Sequence, residues 1–310
     1  MEIIFPPCWV GTKPFEDLLV RHNPAKNKDR QINIKFPLGC SLLIHVVTRV
    51  LSLLNQLAFA GKEVNVTFNR DLLGYLDRMG FFNVLDPRIN ISPSRPTLST
   101  HDIYFGENKN LLEISSLPPG AECGVKDLPG QLAERLVSVL SPTGKLPKSF
   151  STEMFTVFSE LISNYFEHSE SKIPGYVVAQ TYSGTKKLRV AVSDSGLGII
   201  NTIRRDRALE FKNKTDSELV VDIFNEGISR FGSGVGRSCG LSRLGQISLK
   251  YSADLIVRMP GSQVYLKPGK SKLEKNMAYL QSNLGDMGGS HLCFTFPLDK
   301  SGSLCYTDSK

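Results

Sequence analysis

The stretch "LLIHVVTRVLSLLNQLAFAG", residues 42–61, sets the strongest limit on how this chain can fold. It is the most hydrophobic segment present, yet His45, Arg49, Asn55 and Gln56 interrupt it and make it a poor membrane span. Leu43, Val46, Val47, Val50, Leu53, Leu54 and Leu57 recur at spacings of three and four, the pattern of an amphipathic helix buried on one side. β-like runs flank it, "INIKF" at 32–36 and "EVNVTF" at 63–68, and "RDLLGYLDRMGFF" at 70–82 reads as a further helix. Strand, helix, strand and helix at this spacing predict a small α/β unit in the first half.

A chain of 310 residues with 41% hydrophobic and 22% charged residues has the length for two domains and the composition of a globular protein. The net charge of +7 would suit an anionic partner. The basic residues, however, fall in small groups such as "RRDR" at 204–207 and "KPGKSKLEK" at 267–275, so nucleic-acid binding is the minor expectation. Cysteines 8, 40, 123, 239, 293 and 305 form no Cys-x-x-Cys pair and no zinc-like spacing, which predicts reduced, mostly buried thiols and a cytoplasmic setting. The start "MEIIFPPCWV" lacks a positive region followed by a long apolar run, so neither secretion nor a membrane association is expected.

Proline and serine punctuate residues 86–100 and 115–123, and "LPGQLAERLVSVLS" at 128–141 reads as a helix. "PTGKLPKSF" at 142–150 reads as a linker, which divides the chain into an N-terminal α/β unit at 1–145, a second unit at 146–300 and a tail at 301–310. The second unit opens with a helix over about 151–167. "GYVVAQTY" and "KLRVAVSD" follow as a hairpin around "SGTKK" at 183–187. Then come "DSGLGI" at 194–199, a basic helical stretch, a helix at 217–229, the glycine-rich "RFGSGVGRSCGL" at 230–241 and the helix it feeds. "DLIVRM", "SQVYLK" and "SHLCFTFPL" read as closing strands.

Four pieces in this order carry chemistry: "ELISN" at 160–164, "DSGLGI", "GVGRSCGL" and "GGSHLCFTFP". Their order and the elements between them resemble the GHKL family of ATP-binding domains, the Bergerat fold, over roughly residues 151–298. The resemblance implies an α/β sandwich, a mixed sheet with helices on one face. Glu160 and Asn164 stand one helical turn apart on one face, so both can look into one pocket. The family assigns Asn164 to Mg²⁺, for which an amide oxygen is a suitable ligand, and Glu160 to the general base for attack on the γ-phosphate of ATP.

Asp194 is similar to the family's aspartate that accepts a hydrogen bond from the exocyclic amino group of adenine. Gly196 and Gly198 would let the backbone approach the ligand, with Ile199 beside them. Gly234, Gly236, Arg237, Ser238, Cys239, Gly240 and Leu241 would form the phosphate cradle, with backbone N–H groups at a helix start and a charge-assisted contact from Arg237. Ser290 stands where the family usually has threonine. His168 reads as a helix cap or a strand partner, with a place near the phosphates as the alternative; Cys239 reads as a small space-filler ahead of a redox-sensing thiol at a helix start, and Arg204, Arg205 and Arg207 as a solvated face of a lid between residues 199 and 235. The phosphoacceptor helix of sensor histidine kinases is not found ahead of the motifs.

Residues 57–85 resemble STAS-like α/β modules, in whose bacterial members a GHKL-type kinase phosphorylates a serine just before the corresponding helix. Here Asn69, Arg70 and Asp71 occupy that place, which points to a docking or dimerising module without the acceptor. The resulting expectation is a Mg²⁺-dependent ATPase of bacterial type whose lid switches contact with a protein partner or a second copy. Two alternatives are an anti-sigma-type serine kinase and a non-catalytic ATP-gated module of a stress or phage-defence assembly.

Overall fold

A computed structural model describes residues 1–108, 110–119, 128–140, 148–168, 170–228, 240–299 and 305, without the side chains of 139, 140, 148–150, 157, 160, 163, 164 and 166–168. The first half runs β1 (Glu2–Ile4), β2 (Trp9–Val10), α1 (Thr12–His22), β3 (Gln31–Lys35), β4 (Ser41–Leu42), α2 (Ile44–Phe59), β5 (Glu63–Thr67), α3 (Arg70–Arg78), α4 (Phe81–Val84), β6 (Asn90–Ser92) and α5 (Thr100–Tyr104). β1, β3, β5 and β6 form a parallel sheet in that order, and β2 pairs with β4. Alternation decides its two faces: Ile32, Ile34, Val64 and Val66 point into the core. On the other face Asn65 accepts from Asn90 at 3.0 Å and donates to Asn33 at 2.9 Å, an exposed asparagine ladder.

The second half continues with β7 (Leu111–Leu117), α6 (Leu128–Leu140), α7 (Lys148–His168), β8 (Gly175–Tyr182), β9 (Lys187–Ser193), α8 (Ile199–Asp206), α9 (Asp216–Glu226) and α10 (Gly240–Lys250). It closes with β10 (Asp254–Met259), β11 (Ser262–Pro268), β12 (Leu273–Lys275), β13 (Gln281–Ser282) and β14 (His291–Pro297). The large sheet has the order β12-β11-β10-β14-β9-β8-β7, with β13 beside β11. Every pairing in it is antiparallel, which corrects the expected mixed sheet. β7 pairs with β8 and α6 packs on α7, so two elements on the N-terminal side of residue 145 belong to the large sheet and its helical layer.

One face of this sheet, with Val177, Val190, Val192, Leu255, Val257, Leu292 and Phe294, packs against helices α6, α7, α8, α9 and α10. Tyr176, Val178 and Ala191 on the opposite face share a core with α2 and the small parallel sheet. α2 therefore lies between two sheets and is buried at nearly every position, which corrects the expectation of one buried side. Its apolar flank meets the small sheet, where each fully buried Val or Leu contributes roughly 1.5–3 kcal/mol. Its polar residues face the large sheet or the elements beside it. The backbone N–H of Ile44 donates to Tyr182 Oη at 3.1 Å, and Asn55 Nδ2 donates to Tyr176 Oη at 2.5 Å.

The centre of this interface is ionic. Glu16 Oε1 accepts from Arg49 Nη1 at 2.9 Å and from Arg258 Nε at 3.0 Å, and all three side chains are at most 1% exposed. Arg49 also donates to Gln263 Oε1 at 2.9 Å, while Arg258 reaches the carbonyls of Gly285 at 2.7 Å and Met287 at 3.0 Å. Burial pulls the Arg49 guanidinium down to about 10, and burial with the neighbouring arginines holds His45 and His291 well below the usual imidazole range.

Local breaks follow from residue type. Gly80, at φ +78, splits the helix expected over 70–82 into α3 and α4 and leaves room for the His101 ring. Asn69 caps α3, accepting from Leu72 N at 2.9 Å and donating to the Pro37 and Cys40 carbonyls, so its amide is taken up in structural contacts. Among the described cysteines Cys40 and Cys293 are buried, Cys8 is exposed, Cys305 is intermediate, and all four are free. No described helix is long and apolar enough to cross a membrane.

Removing one partner of a buried ion pair leaves an uncompensated charge. Glu16→Gln is therefore expected to lower the unfolding free energy by about 3–5 kcal/mol in urea denaturation. An unchanged midpoint would show that the two arginines do not need the carboxylate.

Candidate functional site

β9 ends at Ser193, and the chain turns at once through Asp194, Ser195, Gly196, Leu197 and Gly198 into α8. The adjacent strand β14 approaches from the other side through Gly288, Gly289 and Ser290. Asp194 N donates to the Ser290 carbonyl at 2.9 Å, which extends the β9–β14 ladder by one step. The Asp194 carboxylate accepts two backbone hydrogen bonds, from Gly196 N and, at 2.9 Å, from Ser290 N. Ser290 Oγ in turn accepts from Ile199 N at 2.8 Å and so fixes the first turn of α8. Thr202 Oγ1 donates back to the Gly198 carbonyl at 2.9 Å.

Two glycines make this close approach possible. Gly289, at φ +86, has no room for a Cβ, which would run into the Asp194 carbonyl. Gly198, at φ +81, would bring a Cβ to 3.0 Å from Ser290 Oγ. The result is a carboxylate at a strand end, walled by glycine backbone and held by main-chain N–H groups. Desolvation raises its pKa to about 6 against the opposing pull of those two hydrogen bonds. Asp194 keeps some solvent exposure, and each carboxylate oxygen has lone-pair capacity beyond its one backbone donor. The group can accept a hydrogen bond from an amino donor of a ligand.

Asp194, Gly196, Gly198, Ile199 and Ser290 are thus brought into one cluster. Glu160 and Asn164 lie one turn apart on α7, and their side chains, like that of His168, lie outside the described residues. The helix itself is anchored by neighbouring Tyr165, whose hydroxyl donates to the Leu117 carbonyl at 3.0 Å and accepts from Gly175 N at 2.8 Å. Gly234, Gly236, Arg237, Ser238 and Cys239 lie outside the described residues. Gly240 and Leu241 open α10, with Gly240 buried and Leu241 against the helical core.

Of the three arginines expected on a solvated face, Arg205 is exposed and pairs with Glu170 at 2.9 Å, whereas Arg204 and Arg207 are partly buried. Arg204 Nε pairs with Asp216 at 2.8 Å and its Nη2 reaches the Lys214 carbonyl at 2.8 Å, while Arg207 lies over the Phe211 ring. Arg204 and Arg207 fasten the end of α8 to the chain leading into α9, whose start carries a Thr215–Glu218 capping box. A separate cleft of about 400 Å³ between α7 and α10 is lined by Thr152, Thr156, Arg243 and Gln246 and bridged by Lys250–Glu153 at 2.7 Å. None of the Asp194 cluster lines it.

Sequence reasoning missed Gln56 and Ser195. Gln56 Nε2 donates to Ser195 Oγ and to the Gly288 carbonyl, each at 3.2 Å, and its Oε1 accepts from Gly288 N at 2.9 Å. The signal was present only as a polar interruption of an apolar helix.

A carboxyl whose folded pKa is raised binds its proton more tightly in the native state, so the ionised form costs stability as pH rises from about 4 to about 6. Urea unfolding of the wild type minus that of Asp194→Asn should therefore fall by up to about 3 kcal/mol across this window and level off above it. A difference that stays flat with pH would show an ordinary carboxylate. Compared with known proteins, the chain matches no family model and no curated relative.

Proposed function

We propose that the second half of the chain is an ATP-binding domain of the GHKL type, a Bergerat-fold sandwich, with Asp194 as the group that holds the adenine. The observation that carries this reading is the Asp194 cluster: a desolvated carboxylate fixed by Gly196 N and Ser290 N between Gly198 and Gly289. An adenine presents an exocyclic amino donor where guanine presents a carbonyl, so a fixed acceptor distinguishes the two. The raised pKa still leaves Asp194 mostly ionised at pH 7, the form that accepts without donating.

The order of the flanking elements supports the same reading. α7 carries Glu160 and Asn164 one turn apart, α8 and α9 follow the Asp194 turn, and α10 begins directly after the glycine-rich segment. In this reading Asn164 would hold Mg²⁺ through its side-chain amide oxygen. Glu160 takes the proton from the attacking water, and the segment leading to Gly240 and Leu241 supplies N–H groups to the phosphates. Mg²⁺ would supply charge neutralisation on the β- and γ-phosphates. The overall activity is then ATP hydrolysis that alters how the first half meets a protein partner.

The test is incubation of purified protein with γ-labelled ATP and Mg²⁺, alone and with candidate partner proteins. Free labelled phosphate is the expected product; label transferred to protein would make it a serine kinase, and neither product would make it a binding module. Asp194→Asn and Asn164→Ala should each weaken ATP binding at least about tenfold by calorimetry. Unaltered affinity in both variants would sink the nucleotide assignment. Glu160→Gln should still bind ATP while turnover drops about 10²- to 10⁴-fold, and undiminished turnover would remove Glu160 from the role of base.

A further inference from the structure

The segment 284–290, which ends in the Ser290 that holds Asp194, is gripped along its length by the first half of the chain. Gly285 lies against the Leu19 backbone at the end of α1, where no Cβ could fit. Asp286 accepts from Asn23 Nδ2 at 2.6 Å and pairs with Lys26 at 2.8 Å. The carbonyls of Gly285 and Met287 accept from Arg258, which Glu16 of α1 holds in place. Gly288 is clamped through both its N–H and its carbonyl by the Gln56 amide. The same amide reaches Ser195, the residue immediately after Asp194.

Gln56 is thus the one described side chain of the first half that hydrogen-bonds both chain segments from which Asp194 is built. Both faces of its amide are used: the nitrogen donates twice and the oxygen accepts once. We infer that Gln56 is a positioning residue for the Asp194 site, through which the docking of α2 sets the geometry of that carboxylate and the affinity of the ligand it holds. A shift of α2 by a fraction of a hydrogen-bond length must move Gly288 or Ser195 or break a bond to one of them. The backbones at Gly289 and Asp194 pass too close for a Cβ to fit between them, and Gly198 faces Ser290 Oγ in the same way, so the two segments lie in close apposition where the Gln56 amide meets them. By reciprocity, a ligand that tightens the Asp194 turn strengthens the seating of α2.

The positioning part stands on the contacts above; the consequence for affinity rests on the nucleotide reading of the site. Hydrogen exchange on the ligand-free protein tests the first. Gln56→Ala should speed exchange of the Gly196, Gly288 and Ser290 amides about tenfold or more, while the amides of β10 and β11 and the urea midpoint change little. Unchanged exchange at those three amides would overturn the inference, and so would acceleration spread evenly over both sheets, which marks general loosening. Calorimetry with a non-hydrolysable ATP analogue tests the second. The wild type should bind, Gln56→Ala should bind about tenfold more weakly, and the analogue should slow exchange in α2 of the wild type only. Equal affinity and equal protection of α2 in both proteins would overturn the coupling. If the wild type binds no analogue while the ligand-free result holds, the positioning role stands and the nucleotide assignment fails.

Discussion

The Glu16 carboxylate holds two buried guanidiniums, and the union of the two sheets depends on that arrangement. Arg49 comes from α2 and Arg258 from β10, so a single side chain of α1 ties the helix between the sheets to the sheet beyond it. Two positive groups at most 1% exposed could not stay there without a negative partner. Hydrogen bonds to Gln263 and to the Gly285 and Met287 carbonyls take up further donors. The interface is selective as well as adhesive. An apolar α2 could slide along the sheet, whereas Arg49, Asn55 and Gln56 each have a fixed acceptor and set one register.

The site at Asp194 inherits its order from this arrangement. The β9–β14 ladder brings residues about 96 positions apart into contact, and glycines at 198 and 289 let the backbones close upon the carboxylate. α8 starts where Ser290 Oγ takes up one of its free N–H groups. The floor beneath these loops belongs to the first half of the chain. The Asp194 turn is thus supported from behind by the first half, which distinguishes the arrangement from two domains joined by a flexible tether.

The sequence made local features legible and left the distant pairings hidden. The hairpin of β8 and β9 was visible in alternating β-branched residues around a glycine turn, and the Asp194 turn in its Asp-x-Gly-x-Gly spacing. α2 was visible as a helix, but its polar residues read as exposed because their partners lie about 120 to 230 positions away on Tyr176, Gln263 and Gly288. The same distance hid the antiparallel order of the large sheet and the allegiance of β7, whose partner β8 lies beyond α6 and α7. Gly80 broke a helix that apolar periodicity alone carries through. Gln56 had no local signature at all, since a glutamine suits a helix whether it meets water or a buried loop.

The Glu16–Arg258 contact closes a separation of 242 residues, and this bears on how the chain is made. During synthesis from the amino end, α1, α2 and the parallel sheet emerge long before β10 or the 284–290 segment exists. Arg49 can meet Glu16 early, but its second acceptor, Gln263, lies 214 residues further along the chain. Until the large sheet is made that flank of α2 stays wet, and the first half holds its apolar flank against the small sheet alone. Contacts between residues so far apart in sequence slow folding, and the Asp194 turn needs one of them, its bond from Ser290 N.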